Sequence, residues 1–187
     1  MNPHHDGPLG APSDWLVRWA HLIAPQGRVL DVACGAGRHL ACMAERGHPT
    51  TGVDIDVQAA RGQVPQAQLL QADMEGAPWP AAHLGAPFDA VLVFNYLWRP
   101  LWPHLLASLA PGGVLLYETF GAGQEQLGRP RRAKFLLQAG ELLQVCQGLH
   151  IVAYEYGLAS DPDRVVQRIA AVRPLAGAAL PPPLSLK

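Results

Sequence analysis

The run Val29-Leu30-Asp31-Val32-Ala33-Cys34-Gly35-Ala36-Gly37-Arg38-His39 constrains this chain more than any other segment. An apolar stretch feeds two closely spaced glycines, and a helical pattern carrying Leu40, Met43 and Ala44 follows as far as Gly47. Such a strand–turn–helix unit belongs to an α/β sheet, whose ligands bind at the carboxyl ends of the strands. Glycine at 35 and 37 removes Cβ, so a ligand can approach the backbone closely. A glycine turn of this kind also occurs with no ligand, and the surrounding residues have to decide.

The rest of the chain repeats the alternation. Ser13 or Asp14 can cap a helix running to Ile23, with Trp15, Leu16, Trp19 and Leu22 at helical spacing. Strands are predicted over 50–55, 68–71, 88–94 and 114–119. The run 88–94 is apolar nearly throughout, as expected of a strand covered on both faces. A weak helix ends about Gly62, and another spans 100–109 with Pro103 near its first turn. Pro111-Gly112-Gly113 should end it. Residues 73–87 and 120–138 read as loops, and 141–146 as a short helix. Two last strands, 150–156 and 165–172, have a turn at Asp161-Pro162-Asp163 and no helix between them. They should form an antiparallel edge hairpin, with Glu155 and Arg168 opposite or nearly so. The expected fold is α/β, a doubly wound, mostly parallel seven-stranded sheet. One domain over 13–173 is expected, after a flexible segment 1–12 and before a Pro-rich tail 174–187.

Composition narrows the function classes. A chain of 187 residues suggests one domain that needs no disulfide staples. The net charge of -1 and the absence of a long basic run argue against a nucleic-acid partner. Cys34, Cys42 and Cys146 are too widely spaced for a zinc pattern and suggest a reducing compartment. His4 and His5 lack a third ligand, so no metal site is expected. The N-terminus has no apolar leader core, and no run is long enough to span a membrane. A soluble cytoplasmic protein is the expectation, with a small molecule as its partner.

The acids beside the strands select the ligand. In a dinucleotide site the pattern is G-x-G-x-x-G, but here the third position is Leu40. Asp31 would repel a pyrophosphate and would suit a cationic amine. That favours an adenosyl ligand bearing an amino acid. Asp54, ending the second strand, can accept from both ribose hydroxyls. It could instead cap a helix, although Asp56 is the better cap. Asp73 ends the third strand, where it can accept from an adenine amine or serve only as a turn residue. The Met74 backbone N–H can serve a ring nitrogen.

Three acids after three strands, with the glycine turn after the first, resemble the class I S-adenosylmethionine-dependent methyltransferases. The resemblance covers about residues 13–172 and includes Phe88-Asp89-Ala90-Val91 and Leu109-Ala110-Pro111-Gly112-Gly113. At family level the chain looks like the small bacterial tellurite-resistance-type methyltransferases. The matching segments are Asn95-Tyr96-Leu97, Tyr117-Glu118-Thr119-Phe120, Gly128-Arg129-Pro130-Arg131, Phe135-Leu136-Leu137 and Gly140-Glu141-Leu142-Leu143. The resemblance implies S-adenosylmethionine as cofactor and methylation of small chalcogen species or thiols.

The cofactor contacts expected are Asp31, Ala33, Cys34, Gly35, Gly37, Arg38, His39, Asp54, Ile55, Asp73, Met74, Glu75 and Asn95. Tyr96, Arg99 and Arg129 are the residues expected to hold a small polar or anionic acceptor. For Tyr96 the plainer role is a lid over the core, and for Arg99 a solvated helix start. Arg131, Arg132 and Lys134 could equally be a solvated basic loop. Glu118 could pair with a loop arginine. Catalysis by His39 or Cys34 is not expected, and packing suffices for Cys34. Alternatives to methyl transfer are a nicotinamide-dependent oxidoreductase, or a non-catalytic adenosyl-binding module that serves as a protein partner.

Overall fold

Ser13 starts the first helix, its Oγ accepting from the Trp15 N–H at 3.1 Å. This computed structural model describes residues 9–85, 87–160, 162–175 and 177. The expectations for residues 1–8, with His4 and His5, for the hairpin turn at Asp161, and for the tail beyond 177 lie outside the described residues. The helix α1 (Asp14–Trp19) continues as a 3-10 turn (Ala20–Leu22), shorter in its α-helical part than its apolar spacing suggests. The chain then runs β1 (Val29–Val32), α2 (Arg38–Glu45), β2 (Thr50–Asp54), α3 (Gln58–Gln63), β3 (Gln68–Gln71), α4 (Ala81–Leu84), β4 (Phe88–Phe94) and α5 (Trp102–Ala107). It ends with β5 (Leu109–Phe120), α6 (Gln124–Leu127), α7 (Glu141–Val145), β6 (His150–Ala159) and β7 (Arg164–Val172).

The seven strands form one sheet in the order β3-β2-β1-β4-β5-β7-β6. Strands β1 to β5 pair in parallel, and β7 pairs antiparallel with both β5 and β6. The expected edge hairpin is therefore present, and Glu155 faces Arg168 across it. Strand order reverses between β1 and β4, the switch point where a doubly wound sheet opens a crevice for ligands.

Apolar residues cover both faces. On one, Leu30, Val32, Val91, Val93, Leu115 and Tyr117 pack with Leu101, Leu105 and Leu142. On the other, Val29, Leu92 and Leu116 pack with Trp15, Leu16 and Trp19 of α1. Full burial of side chains such as Leu16 and Leu30 contributes roughly 1.5–3 kcal/mol each. Alternation along β1 puts Asp31 on the same face as Val29, inside this apolar layer.

The structure departs from the sequence reading most clearly in three places. Pro111-Gly112-Gly113 does not end a helix but lies inside β5, which starts at Leu109 rather than at 114. The β4–β5 register shifts there, with Phe88 opposite Leu109 and Ala90 opposite Val114. At Gly113 a Cβ would lie 2.8 Å from the Ala110 carbonyl oxygen and 2.9 Å from that of Phe88, so glycine is required. The loop expected at 73–87 contains α4, and that at 120–138 contains α6 and a 3-10 turn (Ala133–Phe135).

Candidate functional site

The glycine turn after β1 is held in left-handed backbone conformations, with φ of +58° at Ala33, +53° at Gly35 and +89° at Gly37. A Cβ on Gly37 would press on Val64 Cγ2 at 3.2 Å and Ala60 Cβ at 3.3 Å, so glycine lets α2 start close to α3. Gly35 differs, because its missing Cβ would meet nothing within 4 Å. It opens onto a cavity of about 1150 Å³, large enough for a cofactor.

Most of the expected cofactor residues meet around that cavity: Ala33, Cys34, Gly35, Arg38, His39, Asp54, Ile55, Asp73, Met74, Glu75 and Asn95 all line it. Gly37 and Asp31 are not among the residues lining it, and both are buried next to ones that do line it. Leu9, Gly10 and Phe94 line it too, and the sequence reading missed them. Residues 9 and 10 fell in a segment expected to be flexible. Their signal, a contact between the approach to α1 and the glycine turn, has no local pattern.

Asp54 accepts from the Gly35 N–H at 2.8 Å and from the Asp56 N–H at 3.1 Å. It thereby ties the end of β2 to the glycine turn. Each carboxylate oxygen keeps further acceptor capacity toward the cavity. Asp56 takes the expected cap position, accepting from the Gln58 N–H at 2.9 Å. Asp73 is a turn residue as well as a lining residue, since its Oδ1 accepts from the N–H groups of Glu75 and Gly76 at 3.0 and 2.9 Å.

Behind the turn, Asp31 is 1% exposed, and its Oδ2 has no hydrogen-bond partner. His39 Nδ1 stands 3.9 Å away, too far for a hydrogen bond. Burial pushes the Asp31 carboxyl up to about 8; the Arg38 charge works against this and that of Asp54 adds to it. Burial, then the Arg38 charge, lowers His39 to about 3. His39 is therefore neutral, and the pair is not an ion pair. The His39 Nε2 accepts from the Ser13 N–H at 3.3 Å, which assigns the ring proton to Nδ1, on the Asp31 side. A buried carboxylate with an orphaned oxygen fits a ligand ammonium. Cys34 Sγ packs beneath the sheet, 2.9 Å from where a Gly52 Cβ would stand, and burial pushes its thiol up. That suits packing rather than nucleophilic attack.

A second cavity, of about 780 Å³, adjoins the first and shares Glu75, Asn95 and Tyr96 with it. Its other residues include Thr119, Phe120, Arg129, Arg131, Arg132 and Phe135. Asn95 takes a left-handed φ of +56° just beyond β4, and its N–H donates to the Glu118 carbonyl at 2.9 Å. The Tyr96 hydroxyl is buried with no hydrogen-bond partner. Burial, and then Glu75, Asp54 and Asp73, raise its pKa, so it stays a donor. The Tyr117 hydroxyl donates to the Tyr96 carbonyl at 2.9 Å and holds the backbone there.

Arg129, Arg131 and Arg132 line this cavity, and none of them is in an ion pair among the described residues. Arg99 is placed elsewhere. It lines neither cavity and is bound bidentately to Glu141, at 2.6 and 2.9 Å. Glu118, 1% exposed, meets Arg164 and Arg168 of β7 at 3.6 and 3.3 Å rather than a loop arginine. Among the described residues no group of acids, histidines and cysteines could hold a metal ion, and no helix is long and apolar enough to cross a membrane.

Residues 29–113 match the family described as "Methyltransferase domain". A trans-aconitate 2-methyltransferase of Paracidovorax citrulli is 33% identical over 119 residues, 59% of this chain and 45% of that protein. One from Delftia acidovorans is 30% identical over 155 residues, 75% of this chain and 57% of that protein. The chain spans about half the length of the curated relatives it matches. Among solved structures, TehB from Haemophilus influenzae superposes with a TM-score of 0.68 at 16% identity, covering 84% of this chain and 61% of that one. A TehB-like SAM-dependent methyltransferase from Corynebacterium glutamicum gives a TM-score of 0.63 at 17% identity, with 85% and 86% covered.

Proposed function

We propose that this chain is a class I S-adenosylmethionine-dependent methyltransferase that transfers a methyl group to a small anionic acceptor held in the second cavity. The observation that carries the reading is the wall of Glu75, Asn95 and Tyr96 common to both cavities, with three arginines on the acceptor side that are in no ion pair among the described residues. When bound, the cofactor supplies an electrophilic methyl group on a sulfonium.

The chain's own residues do the positioning. Asp31, ionising as it meets an ammonium, anchors the amino-acid end, and Gly35 leaves room for it. Asp54 accepts from the ribose hydroxyls while keeping its grip on the turn. Asp73, with the Met74 N–H, serves the adenine edge. Arg129 and its neighbours bind acceptor oxyanions in planar forks, which lysine cannot reproduce. The Tyr96 hydroxyl donates to the acceptor near the shared wall. Positioning of this kind can lower a barrier by roughly 7–11 kcal/mol. An anionic acceptor needs no base, and the site offers Tyr96 as a donor rather than a proton acceptor.

Calorimetry with adenosylhomocysteine and with NAD tests the cofactor half. Binding of the first and not the second is expected, and the reverse would replace the reading by an oxidoreductase. A methyl-transfer screen over small carboxylates, thiols and chalcogen oxyanions tests the acceptor half. Relatives named for methylation of trans-aconitate put carboxylates first in that screen. Cofactor binding without turnover across the whole panel would leave an adenosyl-binding module.

A further inference from the structure

The segment that bears Arg129, Arg131 and Arg132 is held at both ends by side chains from outside it. At its start, Gln124 of α6 is 4% exposed and donates from Nε2 to the Arg129 carbonyl at 3.1 Å. The other end of the same amide accepts from the Val165 N–H at 2.9 Å. At the far end, Arg99 donates from Nη1 to the Lys134 carbonyl at 2.8 Å and from Nη2 to the Leu136 carbonyl at 3.0 Å. Its remaining hydrogen bonds, from Nε and Nη2, go to the two Glu141 oxygens at 2.6 and 2.9 Å. Glu141 also accepts from the Gln138 N–H at 2.7 Å. The hydrogen bonds of Arg99 and Glu141 all end on the segment 134–141.

Arg99 itself lines neither cavity but lies three residues beyond Tyr96 of the shared wall. It starts the 3-10 turn (Arg99–Leu101) that follows Tyr96, a residue common to both cavities. One guanidinium therefore joins the Tyr96 arm to the end of the arginine segment. We infer that Arg99 is a positioning residue for the acceptor: with Glu141 it sets how far the arginine wall stands from Tyr96, and so governs acceptor recognition while touching neither ligand. This rests on the methyl-transfer reading above. The planar fork matters because Arg99 serves a carboxylate and two carbonyls together, and a lysine ammonium has neither the reach nor the fork. Burial disfavours the Glu141 charge, yet hydrogen bonds from Arg99 and the Gln138 N–H hold its carboxyl below the usual range, so the pair stays charged.

The test uses the full chain with Arg99→Lys and Arg129→Lys, singly and together. Calorimetry with adenosylhomocysteine should give the same affinity for all variants. In the adenosylhomocysteine-bound protein, Arg99→Lys should speed amide exchange over residues 131–136 by about tenfold, with β1 and β4 unchanged. With an acceptor returned by the screen, Arg99→Lys should raise the acceptor KM about tenfold and leave kcat little changed. In the Arg129→Lys background it should raise KM far less, because the group it acts through is already altered. If Arg99→Lys folds poorly, Glu141→Gln should loosen the same residues. Unchanged exchange over 131–136, or KM effects that simply multiply, would overturn the inference. Failure of the wild-type chain to bind adenosylhomocysteine would instead overturn the methyl-transfer reading, with the exchange comparison then run on the unliganded protein.

Discussion

The Ser13 N–H donates to His39 Nε2 at 3.3 Å, which ties the approach to the first helix to the start of the second, beside the cofactor cavity. Two further bonds reinforce the tie. Ser13 Oγ donates to Glu118 at 3.2 Å, and Arg38 donates to the Ala11 carbonyl at 3.3 Å. The segment that brings Leu9 and Gly10 to the cavity is thus strapped down by Arg38 and His39 of α2 and by Glu118 of β5.

Replacing His39 by Phe keeps a ring against Phe94, whose centroid is 4.2 Å from that of His39, but leaves the Ser13 N–H unpaired. The expected cost is about 1–3 kcal/mol, with weaker adenosylhomocysteine binding. The pH dependence should change as well. His39 is lowered to about 3 in the folded chain from an ordinary 6.5, so the unfolded chain takes up its proton first. Its contribution is complete above pH 6.5 and is lost as pH falls toward 3. Melting curves across that window should be flatter for His39→Phe, and equal slopes would remove His39 from the account.

Asp31 works with the opposite sign. Its folded value of about 8 lies above the ordinary 3.8, so the folded chain holds a proton that the unfolded chain has released. The contribution is complete below pH 3.8 and is lost as pH rises through about 8. Asp31→Asn should therefore melt higher than the wild type at pH 8 and bind adenosylhomocysteine at least about tenfold more weakly, a loss of roughly 1.4 kcal/mol. Calorimetry at pH 7 in buffers of different ionisation enthalpy should show proton release on binding to the wild type only. Equal heats in all buffers would mean that Asp31 does not meet the ammonium.

Asp54→Ala removes the acceptor for the Gly35 and Asp56 N–H groups together with the contacts assigned to the ribose. Charge-assisted bonds of this type are worth about 1.5–3 kcal/mol each, so adenosylhomocysteine affinity should fall by about tenfold or more. Wild-type affinity in this variant would contradict the ribose assignment.

Arg168 serves two carboxylates of very different exposure. Glu155 meets it across the hairpin at 2.7 Å with 41% of its side chain exposed, whereas Glu118 is buried. Glu155→Ala should cost below about 1 kcal/mol. Arg168→Ala should cost about 3 kcal/mol, because it leaves the buried Glu118 charge with only Arg164 and the Ser13 hydroxyl. Denaturant melts giving equal costs would show that the buried carboxylate is not what the hairpin neutralises.

Much of the architecture was legible because it is written in local patterns. The apolar run 88–94 and the short strand 68–71 appear with the bounds read from their residues, and the last two strands pair as their missing crossover helix required. Asp54 and Asp73 fall beside the cavity because strand ends in a parallel sheet point the same way. The Pro111-Gly112-Gly113 stretch misled for a physical reason: a turn-forming tripeptide also fits a bulge, and only the register with β4 decides between them. Arg99 shows the same limit for a side chain. Its composition and place suggested an acceptor contact, yet Glu141, 42 residues further on, claims it. The sequence by itself determined the succession of strands along the chain, the glycine turn and the acids around it, since periodicity and backbone freedom act over a few residues. The tertiary structure alone decided which charges are paired, which polar atoms are left without partners and which walls the two cavities share, because those depend on groups that only folding brings within hydrogen-bond distance.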